Sequence, residues 1–440
     1  MATESSIMDS NSFKEEYASM LSPKTREMIS KREKYLGGAY RLFYRKPLNI
    51  VRGEGDYLWD DEGNKYLDMY NNVAGVGHCN PAVVNAVTEQ MKTLNTHTRY
   101  LHEKILDYSE ELLALMPDEI NKIMYMCTGS EAYTGGTGII ITQEAYHGTS
   151  ALTSGCSPSL GAGQPLLPNV RLITAPDYYR HGGTPEEFTA WYASEMQKTI
   201  DELNEAGYKF SCFLADSIFS SDGIYPDPVG FLKATVDVVH KNGGVFIADE
   251  VQPGFARTGQ AFFGFARHGI VPDMITMGKP MGNGIPISGL AAKEDVLAAF
   301  SDKLPYFNTF GGNPVSIAAA QAVLKYIKDE NLQEHCKKAG AALLKALKEV
   351  QERHPESVGD VRGAGLFLGF EFVKNDGNKT PDKDMALNVI EMLRDEHILT
   401  SVIGHYGNIL KLRPPMVFSE NDIDWFATSL DKCITKLENK

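Results

Sequence analysis

The sequence predicts an α/β protein built around a mostly parallel β-sheet. Two short apolar runs, Val-Phe-Ile-Ala at residues 245–248 and Met-Ile-Thr-Met at residues 274–277, show no regular alternation of polar and apolar residues. Strands of this kind are buried on both faces, which is typical of parallel sheets. A helix is predicted over residues 231–242, directly before the first run, so helix and strand alternate as they do in α/β proteins.

Length and composition limit the class of protein. With 440 residues the chain is too long for one ordinary core, and its 43% apolar and 23% charged residues are typical of a soluble globular protein. A net charge of −14 argues against a nucleic-acid-binding surface, which needs clustered lysine and arginine. The six cysteines are scattered without metal or redox spacing, which favours free thiols. We find no apolar run of membrane-spanning length and no leader pattern, so we expect a cytoplasmic protein that does not bind membranes.

The N-terminal elements follow from periodicity and turn residues. Residues 1–22 are polar and acidic, which predicts an arm that is mobile or packs on a partner, and residues 23–35 are predicted to form a basic, solvated helix. Asp-Glu-Gly-Asn at residues 61–64 is a hairpin turn signal. Pro81 is a favoured first residue of a helix, which we predict to run to about residue 94. Strands are predicted at residues 50–53, 57–60, 65–69, 123–127 and 139–142.

The later elements are predicted in the same way. Residues 149–168 are rich in Ser, Gly and Pro, which predicts a long loop near the entrance of a site. Residues 188–206 have the periodicity of an amphipathic helix, and residues 210–215 form an apolar run that predicts a strand. A long helical pattern covers residues 315–349. One strand at residues 361–371, a helix around residues 386–393 and a final strand at residues 410–413 complete the chain.

An acid and a lysine follow the two buried strands. Asp249 comes directly after the first strand, and Lys279 follows the second strand after Gly278. Open α/β sheets bind ligands beyond the carboxyl ends of their strands. Pyridoxal phosphate explains both residues, because its aldehyde forms a Schiff base with a lysine and its ring nitrogen needs a carboxylate to stay protonated. On spacing alone, it is an equally good interpretation that Asp249 caps the next segment and Lys279 is a solvated loop residue.

A longer motif favours the cofactor. Asp-Glu-Val-Gln-Pro-Gly-Phe-Ala-Arg-Thr-Gly at residues 249–259, followed by Gly278-Lys279, resembles the class III (omega) aminotransferases, and the resemblance extends over nearly the whole chain. It implies that Asp249 holds the ring nitrogen, that Gln252 contacts the ring hydroxyl and that Lys279 carries pyridoxal 5'-phosphate. Asp249 and Lys279 are therefore the implied catalytic residues.

The resemblance also implies the architecture. Fold-type-I pyridoxal-phosphate enzymes have a large domain with a mostly parallel, seven-stranded type of sheet, and a smaller α+β domain made from both ends of the chain. We therefore predict an N-terminal arm and strand meander at residues 1–62 that packs with the small domain. A large cofactor-binding domain is predicted at residues 63–325, and a small C-terminal domain at residues 326–440.

The implied phosphate site begins at the end of a predicted strand. Thr-Gly-Ser-Glu-Ala at residues 128–132 resembles the family motif that opens a long helix. The backbone amides of Gly129 and Ser130 would bind the cofactor phosphate, because free N–H groups and the helix dipole favour an anion at this position. The resemblance thus implies that Gly129 and Ser130 are cofactor-binding residues.

The long helix that should follow is missing from the sequence. Three of the four residues at 135–138 are glycines, and each costs a helix about 1 kcal/mol relative to alanine. Only eleven residues separate Cys127 from Ile139, whereas a parallel connection needs about a dozen or more. Either the chain truly lacks this helix, or residues between Ala132 and Tyr133 are omitted from the sequence as given. We favour the second explanation, because the motifs on both sides are intact.

Three further motifs resemble sites of the family. Tyr146 and His147 match an aromatic-His-Gly motif whose aromatic ring stacks on the cofactor, with a core tyrosine as the alternative. Thr309 matches a threonine that reaches across a dimer interface to the partner's cofactor phosphate, with a turn threonine as the alternative. Arg413, expected to be exposed at a strand end, matches the arginine that binds the substrate carboxylate, with a surface salt bridge as the alternative.

Together these motifs imply a pyridoxal-phosphate-dependent transaminase. Its small-molecule substrates would be an amine or omega-amino compound and a keto acid such as pyruvate, and it would form a homodimer with shared active sites, or a tetramer. Asn71-Asn72 resembles the branch that contains amino-alcohol-phosphate phospho-lyases, although asparagines that satisfy a turn backbone are as good an explanation. A phospho-lyase acting on a phosphorylated amino alcohol is therefore the alternative, as is a weakly active relative if the helix after Ala132 is truly absent.

Overall fold

Strands and helices alternate along the computed structural model, which describes residues 9–36, 39–71, 73–127, 137–302 and 305–439. The strands, in chain order, are β1 (Ile50–Glu54), β2 (Tyr57–Asp60), β3 (Lys65–Asp68), β4 (Ile120–Met126), β5 (Gly138–Thr142), β6 (Val170–Ile173), β7 (Phe210–Asp216), β8 (Val245–Asp249), β9 (Met274–Met277), β10 (Ser288–Lys293), β11 (Val358–Ala364), β12 (Phe367–Phe372), β13 (Ile398–Leu399), β14 (Ser401–Ile403) and β15 (Ile409–Leu412).

The helices cover the sheets and connect the strands. They are α1 (Pro23–Leu36), α2 (Pro81–Thr93), α3 (Glu103–Leu113), α4 (Ala151–Ser154), α5 (Tyr178–His181), α6 (Pro185–Glu205), α7 (Phe231–Lys241), α8 (Glu294–Ser301), α9 (Pro314–Asp329), α10 (Leu332–Arg353), α11 (Lys383–Asp395) and α12 (Ile423–Glu438). None of these helices is long and apolar enough to cross a membrane.

A seven-stranded sheet forms the centre of the molecule. Its strand order is β4-β10-β9-β8-β7-β5-β6, and β10 alone runs antiparallel to its neighbours. Consecutive residues of a strand point to opposite faces, so Ile140 and Phe213 join one core cluster while Ile139 and Leu214 join another. Because helices cover both faces, β5 and β9 are buried along their whole length, as their apolar runs predict. The prediction of an α/β fold with a mostly parallel large sheet is confirmed.

Two four-stranded sheets flank the large one. The N-terminal sheet has the order β1-β2-β3-β13, so a strand from the C-terminal part of the chain pairs with the predicted N-terminal meander. The C-terminal sheet has the order β11-β12-β15-β14, and every neighbouring pair in it is antiparallel. Both chain ends thus contribute to the smaller part of the fold.

Three of the element predictions need correction. Residues 315–349 do not form one helix, because α9 ends at Asp329 and α10 begins at Leu332 after Asn331, whose φ is +48°. Residues 361–371 belong to the hairpin β11–β12, which turns at Gly365 with φ of +54°. The predicted loop at residues 149–168 contains the short helix α4 and a 3₁₀ turn at Pro158–Leu160.

The order of the strands bears on the missing helix. β4 and β5 run parallel, with β10, β9, β8 and β7 between them. Eleven residues connect Met126 to Gly138, and most of them, including Gly129, Ser130 and the junction of Ala132 with Tyr133, lie outside the described residues. Asn72 also lies outside them. The two explanations for the short connection therefore both stand.

Candidate active site

Asp249 and Lys279 lie at the carboxyl ends of adjacent parallel strands. Asp249 is the last residue of β8 and pairs in register with Thr276 of β9, and Lys279 follows β9 after Gly278. Both side chains line one cavity of about 420 Å³. The sequence predicted both residues at the carboxyl ends of buried strands, and in the structure they line the same cavity.

The carboxylate of Asp249 is buried and held by two donors. Nδ1 of His147 donates to Oδ2 at 2.7 Å, and the backbone N–H of Val251 donates to Oδ1 at 3.1 Å. The hydroxyl oxygen of Ser157 accepts a hydrogen bond from the backbone N–H of His147 at 2.9 Å, so the segment after the motif fixes the histidine. These contacts orient the carboxylate and leave it the capacity to accept a further hydrogen bond from a ligand.

The amine of Lys279 is placed for chemistry by its backbone and surroundings. Lys279 has a φ of +36°, which a non-glycine residue adopts only where the surrounding structure imposes it, and it opens a 3₁₀ turn that contains Pro280. Its side chain is exposed to the cavity, yet the protein around it desolvates the ammonium and lowers its pKa, an effect that the charge of Asp249 opposes. A lowered pKa increases the neutral fraction of the amine, which is its nucleophilic form.

The remaining wall of the cavity is partly aromatic and apolar. The ring of Tyr146 lies 6.0 Å from Nζ of Lys279, measured to the ring centroid. Burial raises the pKa of the Tyr146 hydroxyl, so the ring is a neutral flat surface at neutral pH. The apolar lining residues are Val73, Val251, Ile285, Pro286 and Ile287.

Gln252 is not among the residues that line the cavity, but it directly follows Val251 of the cavity wall and contacts the C-terminal sheet. Its side-chain oxygen accepts hydrogen bonds from Nη1 of Arg413 and from Nζ of Lys411, the latter at 3.1 Å. Arg413 also donates from Nε to the backbone oxygen of Tyr70 at 2.9 Å, and its guanidinium lies 4.9 Å from the centroid of the Tyr70 ring. The expectation of an exposed Arg413 is wrong, because the side chain is buried at the end of β15, a strand with a neighbour on each side.

Lys411 is a buried charge that the sequence analysis missed. It lies on β15, which pairs on one side with β12 and on the other with β14. The signal was present, since alternate residues of a strand point the same way and Lys411 stands two positions before Arg413. Asp216, at the end of β7, is a second charged residue of this region, and burial raises its pKa.

Thr309 is not brought to the cavity within this chain. Its side chain is exposed, and it is absent from the residues that line the cavity. The neighbouring Asn308 forms the turn by accepting hydrogen bonds from the backbone N–H groups of Phe310 and Gly311, at 3.1 and 2.8 Å. Gly129 and Ser130, the other implied phosphate ligands, lie outside the described residues.

The residues of the cavity fit pyridoxal phosphate. An accessible amine with a lowered pKa, a carboxylate held by His147 and an aromatic ring are the groups that bind its aldehyde, ring nitrogen and ring face. The seven-stranded sheet with these residues at its strand ends, flanked by a smaller sheet domain, is the architecture of a fold-type-I pyridoxal-phosphate enzyme.

The chain belongs to the class III aminotransferases, which are pyridoxal-phosphate enzymes, because the family model "Aminotransferase class-III" matches residues 43–434. It is 37% identical to "Alanine--glyoxylate aminotransferase 2 homolog 2, mitochondrial" of Arabidopsis thaliana, over 94% of this chain and 88% of the relative. It is 34% identical to "Ethanolamine-phosphate phospho-lyase homolog 1" of Caenorhabditis elegans, over 93% of each chain. Among solved structures, a phospholyase from Arthrobacter in complex with phosphoethanolamine is similar with a TM-score of 0.88 and 36% identity, over 93% of this chain and 99% of the other.

Proposed function

We propose that this transaminase moves an amino group from a small amine or omega-amino compound to a keto acid such as pyruvate. One observation carries the proposal: the amine of Lys279 and the carboxylate of Asp249 open into the same cavity from adjacent strand ends. When bound, pyridoxal phosphate supplies an electron sink for the substrate carbon that loses a proton. The protein must then supply a base for that proton and an environment that keeps the ring electron-poor.

Each predicted site residue has a proposed role. Nζ of Lys279 would hold the cofactor and would act as the general base and acid that moves the proton of the substrate carbon. Asp249 would hold the ring nitrogen, and His147 fixes the carboxylate of Asp249 for that purpose. Tyr146 would offer a flat surface to the ring, and Gln252 would hold the ring hydroxyl. Gly129 and Ser130 are proposed to bind the phosphate, and Arg413 to bind the carboxylate of an amino or keto acid.

We also propose a homodimer, with the tetramer as the alternative. Large apolar side chains are exposed around Thr309, including Leu101 at 98% and Phe310 at 69% of their accessible surface. Phe307 belongs to the same surface, because Arg99 lies 4.1 Å from the centroid of its ring. Exposed apolar patches mark interaction sites. An interface here would place Thr309 against the partner, where it would complete the partner's phosphate site.

Domain division and location remain proposals as well. The division into residues 1–62, 63–325 and 326–440 is supported by the assignment of the seven strands of the large sheet to the second segment. A cytoplasmic location is supported by six free thiols, whereas the name of the Arabidopsis relative supports mitochondria. Fractionation of cells that express the full protein distinguishes the two locations.

A phospho-lyase acting on a phosphorylated amino alcohol is the second candidate. It is favoured by the similarity to the Arthrobacter phospholyase and to the phospho-lyase homolog, each above 30% identity. The substrate carbon would again lose its proton to Lys279, and phosphate would then be released from the neighbouring carbon. Phosphate release that does not depend on a keto acid would favour this candidate and contradict amino transfer.

A donor screen with pyruvate as acceptor tests the proposed function. Purified protein with added pyridoxal phosphate should form alanine from at least one amine, and Lys279→Ala should lower kcat by at least about 10³-fold because it removes the general base. Lys345→Ala, at an exposed position on α10, is the matched control and should retain full activity. If no amine changes the absorbance of the bound cofactor, the protein is an inactive relative and the proposal is wrong.

A further inference from the structure

Asn283 links the turn that carries Lys279 to the loop that precedes α2. It directly follows the 3₁₀ turn Lys279–Gly282. Oδ1 of Asn283 accepts a hydrogen bond from the backbone N–H of Val76 at 3.0 Å, and Nδ2 donates to the backbone oxygen of Gly77 at 2.9 Å. One side-chain amide therefore satisfies a backbone donor and a backbone acceptor that lie 207 and 206 positions away in the chain.

The loop at residues 73–77, the wall loop, forms one side of the cavity. Val73 lines the cavity together with Lys279. Gly75 lies so close to the Lys279 turn that a Cβ atom on it would stand 2.9 Å from Cβ of Pro280. The wall loop and the turn are therefore in direct contact, and a displacement of one changes the distance between Val73 and the amine of Lys279.

Two further contacts hold the wall loop from other directions. The backbone oxygen of Gly75 accepts a hydrogen bond from the backbone N–H of Met416 at 2.8 Å. The backbone oxygen of Val76 accepts one from Nδ2 of Asn80, the residue that caps α2, at 2.8 Å. Because these contacts do not involve Asn283, we expect its loss to loosen the wall loop on the side of the Lys279 turn without unfolding it.

The backbone and the side chain of Asn283 can be tested separately. Its φ of +48° and ψ of +43° are left-handed, a conformation that asparagine and glycine tolerate better than most residues. Glycine at this position would keep the backbone conformation and lose both hydrogen bonds. Aspartate would keep the acceptor for Val76 but would place an oxygen against the backbone oxygen of Gly77.

We propose that Asn283 is a positioning residue for the substrate, which keeps the wall loop at a fixed distance from the amine of Lys279. The inference rests on the proposed amino transfer at Lys279. Asn283 is not among the residues that line the cavity, so it acts through Val73 and not by contact with the substrate. A wall that contacts the substrate equally before and during proton transfer contributes uniform binding, so loosening it raises KM and leaves kcat nearly unchanged.

The first test follows the wall loop itself in the holoenzyme. Hydrogen exchange, read by mass spectrometry of peptides that cover residues 69–77, reports the opening of the backbone N–H of Val76. Asn283→Gly should speed exchange in these peptides about five- to tenfold, because that N–H loses its acceptor. Asn331→Gly is the matched control, since Asn331 has a φ of +48° and a ψ of +44° and its side chain forms no cap hydrogen bond. It should leave the exchange of these peptides unchanged.

The second test measures substrate binding with L-alanine, which the proposed reaction forms from pyruvate. Amination of the bound cofactor by L-alanine changes its absorbance, and the rates at a series of concentrations give a maximal rate and a half-saturating concentration. Asn283→Gly should raise the half-saturating concentration about five- to tenfold and change the maximal rate less than about threefold. Asn283→Asp should raise it at least as much, and Asn331→Gly should not change it.

A double variant tests whether Asn283 acts through the wall. Val73→Ala and Asn283→Gly should each raise the half-saturating concentration of L-alanine. The double variant should raise it by less than the product of the two single effects, because both changes act on the same contact with the substrate. Effects that multiply would mean that Asn283 acts independently of Val73 and would overturn the proposal.

Four other results would also overturn it. Unchanged exchange and unchanged half-saturation in Asn283→Gly would show that the two hydrogen bonds do not position the loop, while amino transfer by the unaltered protein would stand. A lower maximal rate at an unchanged half-saturating concentration would assign the effect to Lys279. Faster exchange throughout the large sheet would assign Asn283 a role in stability alone. Absence of any absorbance change when the unaltered protein meets L-alanine would contradict the proposed function together with this inference.

Discussion

Two groups of buried charges on neighbouring strands of the C-terminal sheet differ in how their charges are balanced. Glu371 on β12 is fully buried and accepts from Nη2 of Arg180 at 2.5 Å and from Nη1 of Arg362 at 2.8 Å. Lys411 on β15 and the adjacent Arg413 share only a neutral amide oxygen. The charge of Glu371 is therefore balanced by ion pairs, whereas Lys411 and Arg413 form no ion pair with the described residues.

The contacts of the balanced group show what it stabilises. Arg362 also donates to the backbone oxygens of Gly223 and Ile224, which follow β7 of the large sheet, at 2.8 Å from Nη2 and 2.8 Å from Nε respectively. Glu371 therefore holds an arginine that fastens the C-terminal sheet to the large sheet. The cations at Lys411 and Arg413 make no comparable set of contacts with a carboxylate among the described residues, so their removal should affect binding more than folding.

The largest expected effect on stability follows from removing Glu371. Glu371→Ala leaves two arginines without their shared carboxylate and should lower the free energy of unfolding by about 3–5 kcal/mol. Lys411→Met is the comparison, because it replaces an unpaired buried cation by an apolar side chain of similar length and should change stability by no more than about 1 kcal/mol, or increase it. Urea denaturation followed by circular dichroism measures both. Equal losses in the two variants would refute the distinction between the two groups.

A further buried acid, Asp222, differs from Glu371 because its hydrogen-bond donors are neutral. It accepts from the Thr142 hydroxyl at 2.6 Å and from the backbone N–H of Glu144 at 2.8 Å, and burial raises its pKa to about 7. The folded state therefore keeps a proton that the unfolded chain has lost, so this contribution to stability is complete below the ordinary pKa of an aspartic acid and is lost as the pH rises toward 7.

Asp222→Asn should remove that pH dependence. Between about pH 4 and 7, the free energy of unfolding of the unaltered protein should fall by up to about 1.4 kcal/mol per pH unit more than that of the variant. Denaturation at a series of pH values measures the difference between the two curves. Parallel curves for the two proteins would mean that Asp222 is ionised in the folded state throughout this range.

The sequence was sufficient where the signal is local. The apolar runs at β8 and β9 predicted buried strands. Because Asp249 and Lys279 follow these runs, the sequence also predicted that both lie at strand ends. The hydrogen bond between His147 and Asp249 joins residues 102 positions apart, so periodicity gives no information about it. The fold class and the position of the cofactor pair were therefore predictable, and their partners were not.

Other features depended on packing that the sequence does not display. Arg413 was expected at an exposed strand end, but β15 lies between two strands of its sheet, so the residues at its end are buried. Lys411 was missed because a lysine in a short strand is usually solvated. Its contact with Gln252, which Arg413 shares, joins residues that are far apart in the sequence. The break between α9 and α10 falls at Asn331, in a segment with neither glycine nor proline as a signal.

Chemical trapping tests the cofactor site most directly. Protein loaded with pyridoxal phosphate is reduced with borohydride, which makes the link between the aldehyde and a lysine permanent, and the digested protein is analysed by mass spectrometry. We predict one modified peptide, with the pyridoxyl group on Lys279, because its amine shares a cavity with the carboxylate of Asp249. Modification of a different lysine, or of none, would contradict the assignment of this cavity as the active site.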